Sequence, residues 1–184
     1  MTRRLAALVL AGSAMILPAI ASADHHEAGA KTQTVALVGA QGQTLGMASL
    51  EQTPAGVLIS VSASGIGEGE HAFHVHEKGL CDPAGGFASA GGHFAPGGTA
   101  HGYRDAKGHH AGDMPNLFAG ADGKVRAQVL NQAVSLSGTG EGALFDADGS
   151  ALVIHAGPDD YASQPAGAAG GRIACAVIAP PKGP

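Results

Sequence analysis

The sequence predicts an all-β domain of the sandwich or barrel type. Short runs of apolar residues alternate with polar ones, the period-two signature of a strand with one buried face. Clusters of Gly, Pro, Asn and Asp separate the runs and supply turn chemistry. Beyond the N-terminal segment, no window of ten or more residues carries the 3.6-residue apolar stripe of a helix. Many short strands joined by glycine-rich turns pack as two sheets or close on themselves.

In chain order, Val35 and Leu37 mark the first strand, closed by Gly39-Ala40-Gln41-Gly42. Leu45, Met47 and Ser49 mark the second, and Val57, Ile59 and Val61 the third, with Thr53-Pro54-Ala55-Gly56 between them. Residues 70–76 read as one further strand, supported by Phe73 and Val75. Val125, Ala127 and Val129 alternate after the Asp122-Gly123 turn, and Leu152 and Ile154 do the same. Two stretches break the rhythm. Residues 77–115 are rich in glycine and lack periodicity, and 156–171 form a second irregular stretch. Loops of that length inside a compact domain are disordered or functional.

The N-terminus reads as an address. Arg3 and Arg4 precede a mostly apolar run that ends at Ala21-Ser22-Ala23, the basic, apolar and small-x-small pattern of a secretory signal peptide over 1–23. Residues 24–31 then form a mobile histidine-containing tail and 32–184 the domain. Cleavage leaves 184 − 23 = 161 residues and, without Arg3 and Arg4, a charge of 8 − 15 = −7. That balance argues against a nucleic-acid binder working by phosphate neutralisation. No other segment approaches the ~20 apolar residues of a membrane span, so no membrane partner is expected after cleavage. The destination is periplasmic or otherwise secreted. In such an oxidising compartment Cys81 and Cys175 read as a disulfide rather than as reduced thiols. Cleavage would also give Asp24-His25-His26 a free amine. Amine, backbone amides and imidazole suit square-planar Cu(II) or Ni(II), and a second, weaker copper site is expected there.

Ten histidines exceed the needs of one catalytic base and point to metal. His74 and His76 lie at i and i+2 of a strand, on the same side. His110 and Asp113 are three apart, and His93, His101 and His110 are spaced so that a loop can fold around an ion. Three imidazoles with one carboxylate make a closed tetrahedral zinc site. A set of imidazoles without thiolate suits copper.

The arrangement resembles the copper/zinc superoxide dismutases in their bacterial secreted form. The resemblance rests on Ala72-Phe73-His74-Val75-His76-Glu77, Ala90-Gly91-Gly92-His93-Phe94, the segment from His109 to Leu117, Leu152-Val153-Ile154-His155-Ala156-Gly157 and Gly171-Arg172-Ile173-Ala174-Cys175, and it spans 32–180. It implies an eight-stranded flattened Greek-key barrel or sandwich, immunoglobulin-like, with two long functional loops. It implies one copper ion on His74, His76, His93 and His155, and one zinc ion on His93, His101, His110 and Asp113, with His93 bridging. It places Asp159 as the carboxylate linking a copper histidine to a zinc histidine, Cys81 and Cys175 at the disulfide positions, and Arg172 beside the anionic substrate. His71 lies outside the ligand set, and His110 is favoured over His109.

The implied activity is dismutation of superoxide to O2 and H2O2 by Cu(II)/Cu(I) cycling, with His93 and Arg172 as catalytic groups. The alternative is a copper-buffering or copper-delivery protein of the same fold. The discriminators are the implied bridge His93, together with His155 and Arg172: a copper store needs no bridge and no anion-binding arginine, and all three residues are present. The family includes monomers and homodimers, and both remain open for this chain. Ala72, Ala95 and Ala166-Gly167-Ala168 depart from common family residues without removing a ligand. The missing threonine near Arg172 raises the question of what backs the anion pocket.

Overall fold

The computed structural model describes residues 31–183. The predicted signal peptide and the Asp24-His25-His26 segment lie outside the described residues. Nine strands run in chain order: β1 Thr32–Gly39, β2 Thr44–Thr53, β3 Gly56–Ala63, β4 Gly69–His71, β5 Phe73–His76, β6 Leu117–Ala119, β7 Val125–Asn131, β8 Ser150–His155 and β9 Arg172–Ala179. A single turn of 3-10 helix, Ala88–Ala90, is the only helical element among the described residues. Seven strands form one antiparallel sheet in the order β5-β8-β9-β1-β2-β3-β7, and β4 pairs with β6 beside it. The all-β architecture expected from the period-two runs is present.

The predicted strand over 70–76 is divided. Its first part pairs with β6 and its second with β8. The division falls at Ala72, whose N–H donates to Gly157 O at 2.8 Å while its carbonyl accepts from His155 N–H at 2.9 Å. The segment thus passes from one sheet to the other, and counting β4 and β5 as one crossing strand recovers eight. The short β6 carries too few residues to show a period in the sequence.

The alternation in β1, β3 and β7 sends Leu37, Ile59 and Val125 into the main core. In β2 the expected face of Leu45, Met47 and Ser49 is not the buried one: the register sets Ala48 and Leu50 beside Val61 and Ile59 of β3, so these two are buried and Met47 is exposed. The edge strand β5 and its neighbours β8 and β9 behave differently. All six residues of β8 are buried. Leu152 and Ile154 face the main core, while Ala151 and Val153 pack with Phe87, Ala90 and Cys175 in a second apolar cluster. One sheet face is therefore covered by the core and the other by the long loop after β5, the burial on both sides that produces a continuous apolar run. The Cys81–Cys175 disulfide fastens that loop to β9.

This two-sided covering places the histidines. In β5, Phe73 and Val75 point into the core, so His74 and His76 point to the opposite face. They register against Val153 and Ala151 of β8. His155 ends β8 beyond a register shift after Ile154. The three imidazoles come to a face that water would reach if the loops did not cover it.

Candidate metal centre

Two local pairings fold the 77–115 loop back on β5: His76 bridges to His93 and His74 to Asp113. Val75 donates its N–H to Gly112 O and accepts from Phe94 N–H. His93 and Asp113 are thereby carried to the histidine face without a continuous strand.

The hydrogen bonds fix which ring nitrogen carries the proton. His74 Nε2–H donates to Asp159 Oδ2 at 2.9 Å, leaving Nδ1 as a buried lone pair with no partner. His76 Nδ1–H donates to Gly91 O at 3.0 Å, and His155 Nδ1–H to Gly170 O at 3.3 Å. Their Nε2 lone pairs then face each other 3.4 Å apart. The Nε2 of His93 is also buried without a partner. Four nitrogens thus converge on one point, and a neutral imidazole lone pair left buried and unpaired is costly unless a cation takes it.

A second point lies on the other side of the His93 ring. The Nδ1 atoms of His93, His101 and His110 stand 3.1, 3.0 and 3.3 Å from Asp113 Oδ1, and those of His93 and His110 are 3.3 Å apart. His101 Nε2–H donates to Asp159 Oδ1 at 3.0 Å, so the Nδ1 of a neutral His101 is a lone pair set against a carboxylate oxygen. Lone pair against lone pair at that distance is repulsive unless a cation sits between them. The donor set, three imidazoles and one carboxylate, suits tetrahedral zinc. On mutual proximity alone His74 also groups with His93, His101 and Asp113 within 4.8 Å. The Nε2 of His74 is committed to Asp159, however, and its remaining nitrogen, Nδ1, belongs to the first group, while His110 Nδ1 lies 3.3 Å from Asp113 Oδ1, so His110 is the better fourth member.

The electrostatics agree. Burial lowers His93 to about 4 despite the Asp113 hydrogen bond, and lowers His155 to about 3, with His74 adding to the effect. Burial likewise holds His76 well below the usual histidine value, helped by His93 and Arg172. These rings stay neutral and available to a metal at pH 7. Burial alone would raise the two carboxylates. Hydrogen bonds from His110, His93 and the Gly102 N–H reverse that for Asp113 and leave it far below the carboxylate range. Hydrogen bonds from His74, His101 and the Tyr161 N–H bring Asp159 to about 2.

Asp159 binds one histidine from each group, which is how carboxylates fix the tautomer of ligating imidazoles. Arg172 lies next to the first group. Its guanidinium donates to Phe87 O and Gly91 O, both at 2.6 Å, and Gly91 O also accepts from His76. Backbone carbonyls, not a threonine, therefore hold the arginine. His109 is exposed, with its Nδ1 on His110 O at 2.8 Å and its ring edge-on to Tyr103. His71 is buried, with both ring nitrogens 2.8 Å from carbonyls, those of His155 and Gly67. The sequence reading did not find the carbonyls of Phe87, Gly91 and Gly170. Main-chain acceptors leave no mark in residue type.

The family pattern described as copper/zinc superoxide dismutase matches residues 44–178 of this chain. The chain belongs to the copper/zinc superoxide dismutase family. It is 48% identical over 174 residues to superoxide dismutase [Cu-Zn] 2 of Aquifex aeolicus, covering 92% of this chain and 96% of that one. It is 43% identical over 147 residues to superoxide dismutase [Cu-Zn] of Caulobacter vibrioides, covering 79% and 84%. The crystal structure of a superoxide dismutase-like protein from Bacillus subtilis superposes with a TM-score of 0.75 at 40% identity, over 79% of this chain and 97% of that one. The family's cofactors, one copper and one zinc, fit the two groups of donors. No helix among the described residues is long and apolar enough to cross a membrane.

Proposed function

We propose that the protein is a superoxide dismutase of an oxidising compartment outside the cytoplasm. Residues 1–23 act as its signal peptide. The segment expected as a tail over 24–31 ends one residue earlier, because the Lys31 carbonyl accepts from Gln52 N–H and its ammonium donates to Leu136 O, so Lys31 belongs with the enzyme domain over 32–184. Copper would be held by His74 Nδ1 and by the Nε2 atoms of His76, His93 and His155. Zinc would be held by the Nδ1 atoms of His93, His101 and His110 and by Asp113 Oδ1. The observation that carries this reading is the His93 ring, whose two nitrogens face the two groups of donors. When bound, copper supplies reversible one-electron chemistry and zinc a fixed positive charge.

The residues perform the remaining tasks. Arg172 offers a full positive charge beside His76 and His155, where a small anion must arrive. That local charge has to overcome the net negative charge of the whole chain, and focused positive charge of this kind raises on-rates by about 10 to 10³. Asp159 keeps the Nε2–H of His74 and His101 in place, so their Nδ1 atoms stay available. His93 Nε2 is buried and without a protein partner, so whenever it is not engaged by the metal it can hold a proton and give it to a peroxide anion. The net reaction takes two superoxide anions and two protons to O2 and H2O2.

The test is a cytochrome c competition or pulse-radiolysis assay on copper- and zinc-loaded protein beside a His93→Ala variant. The wild type is expected to dismute superoxide. The variant is expected to lose zinc affinity and to shift the Cu(II) spectrum. Metal uptake without dismutation by the wild type would make this a copper-binding protein of the same fold. A variant with a wild-type spectrum and full rate would remove His93 from the bridge.

A further inference from the structure

We propose that Gln164 is a positioning residue for the zinc-side histidine His101: one carboxamide holds the main chain of His101 in the place a neighbouring strand would occupy. The inference rests on the metal-centre reading above and adds a residue to it.

His101 is fully buried and belongs to no strand. Its main-chain N–H donates to Gln164 Oε1 at 2.9 Å, and its carbonyl accepts from Gln164 Nε2 at 2.8 Å. A second hydrogen on Gln164 Nε2 reaches Ala162 O at 3.2 Å. The main-chain donor and acceptor of one buried residue are therefore both satisfied by a single side chain 63 residues away. The ring of the same residue is held by Asp159 through Nε2, leaving Nδ1 directed at Asp113. Three of the four polar groups of His101 thus depend on residues 159–164.

That segment is fixed internally, so it can act as a template. Asp160 Oδ1 accepts from the N–H groups of Ala162 and Ser163. Asp160 N–H donates to Gly167 O at 3.0 Å, and Gly167 N–H to Ser163 O at 2.7 Å. Asp159 and Gln164 are held relative to each other, and His101 is held between them. The other zinc-side residues have separate anchors. His93 and Asp113 bridge to β5, and His110 N–H donates to Asp113 Oδ2. The direction of the His101 Nδ1 lone pair follows from its backbone and from Asp159 together, and Gln164 sets the backbone. The carboxamide matters because the site needs one acceptor and one donor. A glutamate would set an oxygen against the His101 carbonyl.

The experiment uses metal-free full-length protein refilled with Zn2+ against a chromophoric chelator, and with Co2+, whose visible bands report tetrahedral geometry at the zinc position. Gln164→Ala and Gln164→Glu are expected to weaken Zn2+ binding by about tenfold or more, the usual effect of removing a partner that orients a ligand, and to alter the Co2+ bands. Ser163→Ala removes a hydroxyl that binds Asp160 and does not touch His101; it is expected to match the wild type in both measurements. Zn2+ affinity of Gln164→Ala within twofold of wild type, with unchanged Co2+ bands, overturns the inference. An equal loss in Ser163→Ala also overturns it, because the effect would then belong to general loop integrity. A wild type that gives no tetrahedral Co2+ spectrum defeats the metal-centre reading itself, and the inference falls with it.

Discussion

Gly167→Ala is expected to damage the metal centre although Gly167 is not itself a ligand. A methyl group built on Gly167 lies 1.8 Å from Asp159 Oδ1, 2.5 Å from its Cγ and 2.8 Å from His101 Nε2. Ordinary carbon–oxygen contact begins near 3.3 Å, so loop or carboxylate must retreat by about 1.5 Å. The His101–Asp159 bond of 3.0 Å then exceeds hydrogen-bonding distance. Asp159 cannot rotate away freely, because Oδ2 accepts from His74 and Oδ1 also accepts from Tyr161 N–H at 2.7 Å. Its side chain is wholly buried, and a buried polar group left short of a partner costs about 1–3 kcal/mol. Gly167 also sits at φ 68°, a left-handed conformation that costs a residue with a Cβ about 1–2 kcal/mol. The sum is about 2–5 kcal/mol of stability in the metal-free protein, with about 10- to 100-fold weaker metal binding. The assay is chemical denaturation of the chelated protein followed by chelator competition for copper and zinc. Gly171→Ala is the control, since a methyl there meets nothing within 4 Å. Equal behaviour of the two variants would refute the reasoning.

Three further outcomes are expected. Arg172→Gln should leave copper and zinc content unchanged while lowering the second-order rate about tenfold or more and flattening its ionic-strength dependence; an unchanged rate would confine Arg172 to its bonds with Phe87 and Gly91. Peptide mapping without reduction should recover a Cys81–Cys175 cross-link, and Cys81→Ser should cost about 4–5 kcal/mol, the chain-entropy value for a closed loop of 94 residues; free thiols in the folded protein would contradict this. The metal-free protein should lose stability as pH falls from about 6.5 towards 4. His93 stays neutral in the fold down to about 4, whereas the unfolded chain takes up its proton near 6.5. The unfolded state therefore binds more protons across that window, and stability rises with pH. The shift is worth about 3 kcal/mol, and a denaturation midpoint that does not move between pH 7 and 4.5 would disprove it.

Alternation in the sequence located β1, β3 and β7 and their dry faces, because it records burial on one side; in β2 the same pattern pointed to Met47 and Ser49, whereas Ala48 and Leu50 are the buried pair. Residue type and spacing singled out His74, His76, His93, His101, His110 and Asp113 as candidate ligands, while His155 and the division into copper and zinc sets came from the family resemblance. Val57, Ile59 and Val61 could be placed on a core face before any coordinates. So could the pairing of His74 with His76, which needs only the period of a strand. The change of sheet at Ala72 was not legible, because it depends on two hydrogen bonds to residues more than eighty positions away. Tertiary structure alone decided which ring nitrogens are free, since a tautomer is set by whichever carbonyl or carboxylate meets the other nitrogen. The roles of Gly91, Gly167 and Gln164 became visible only there. A carbonyl, a missing methyl group and a carboxamide act through what stands beside them, and residue type does not encode the neighbour.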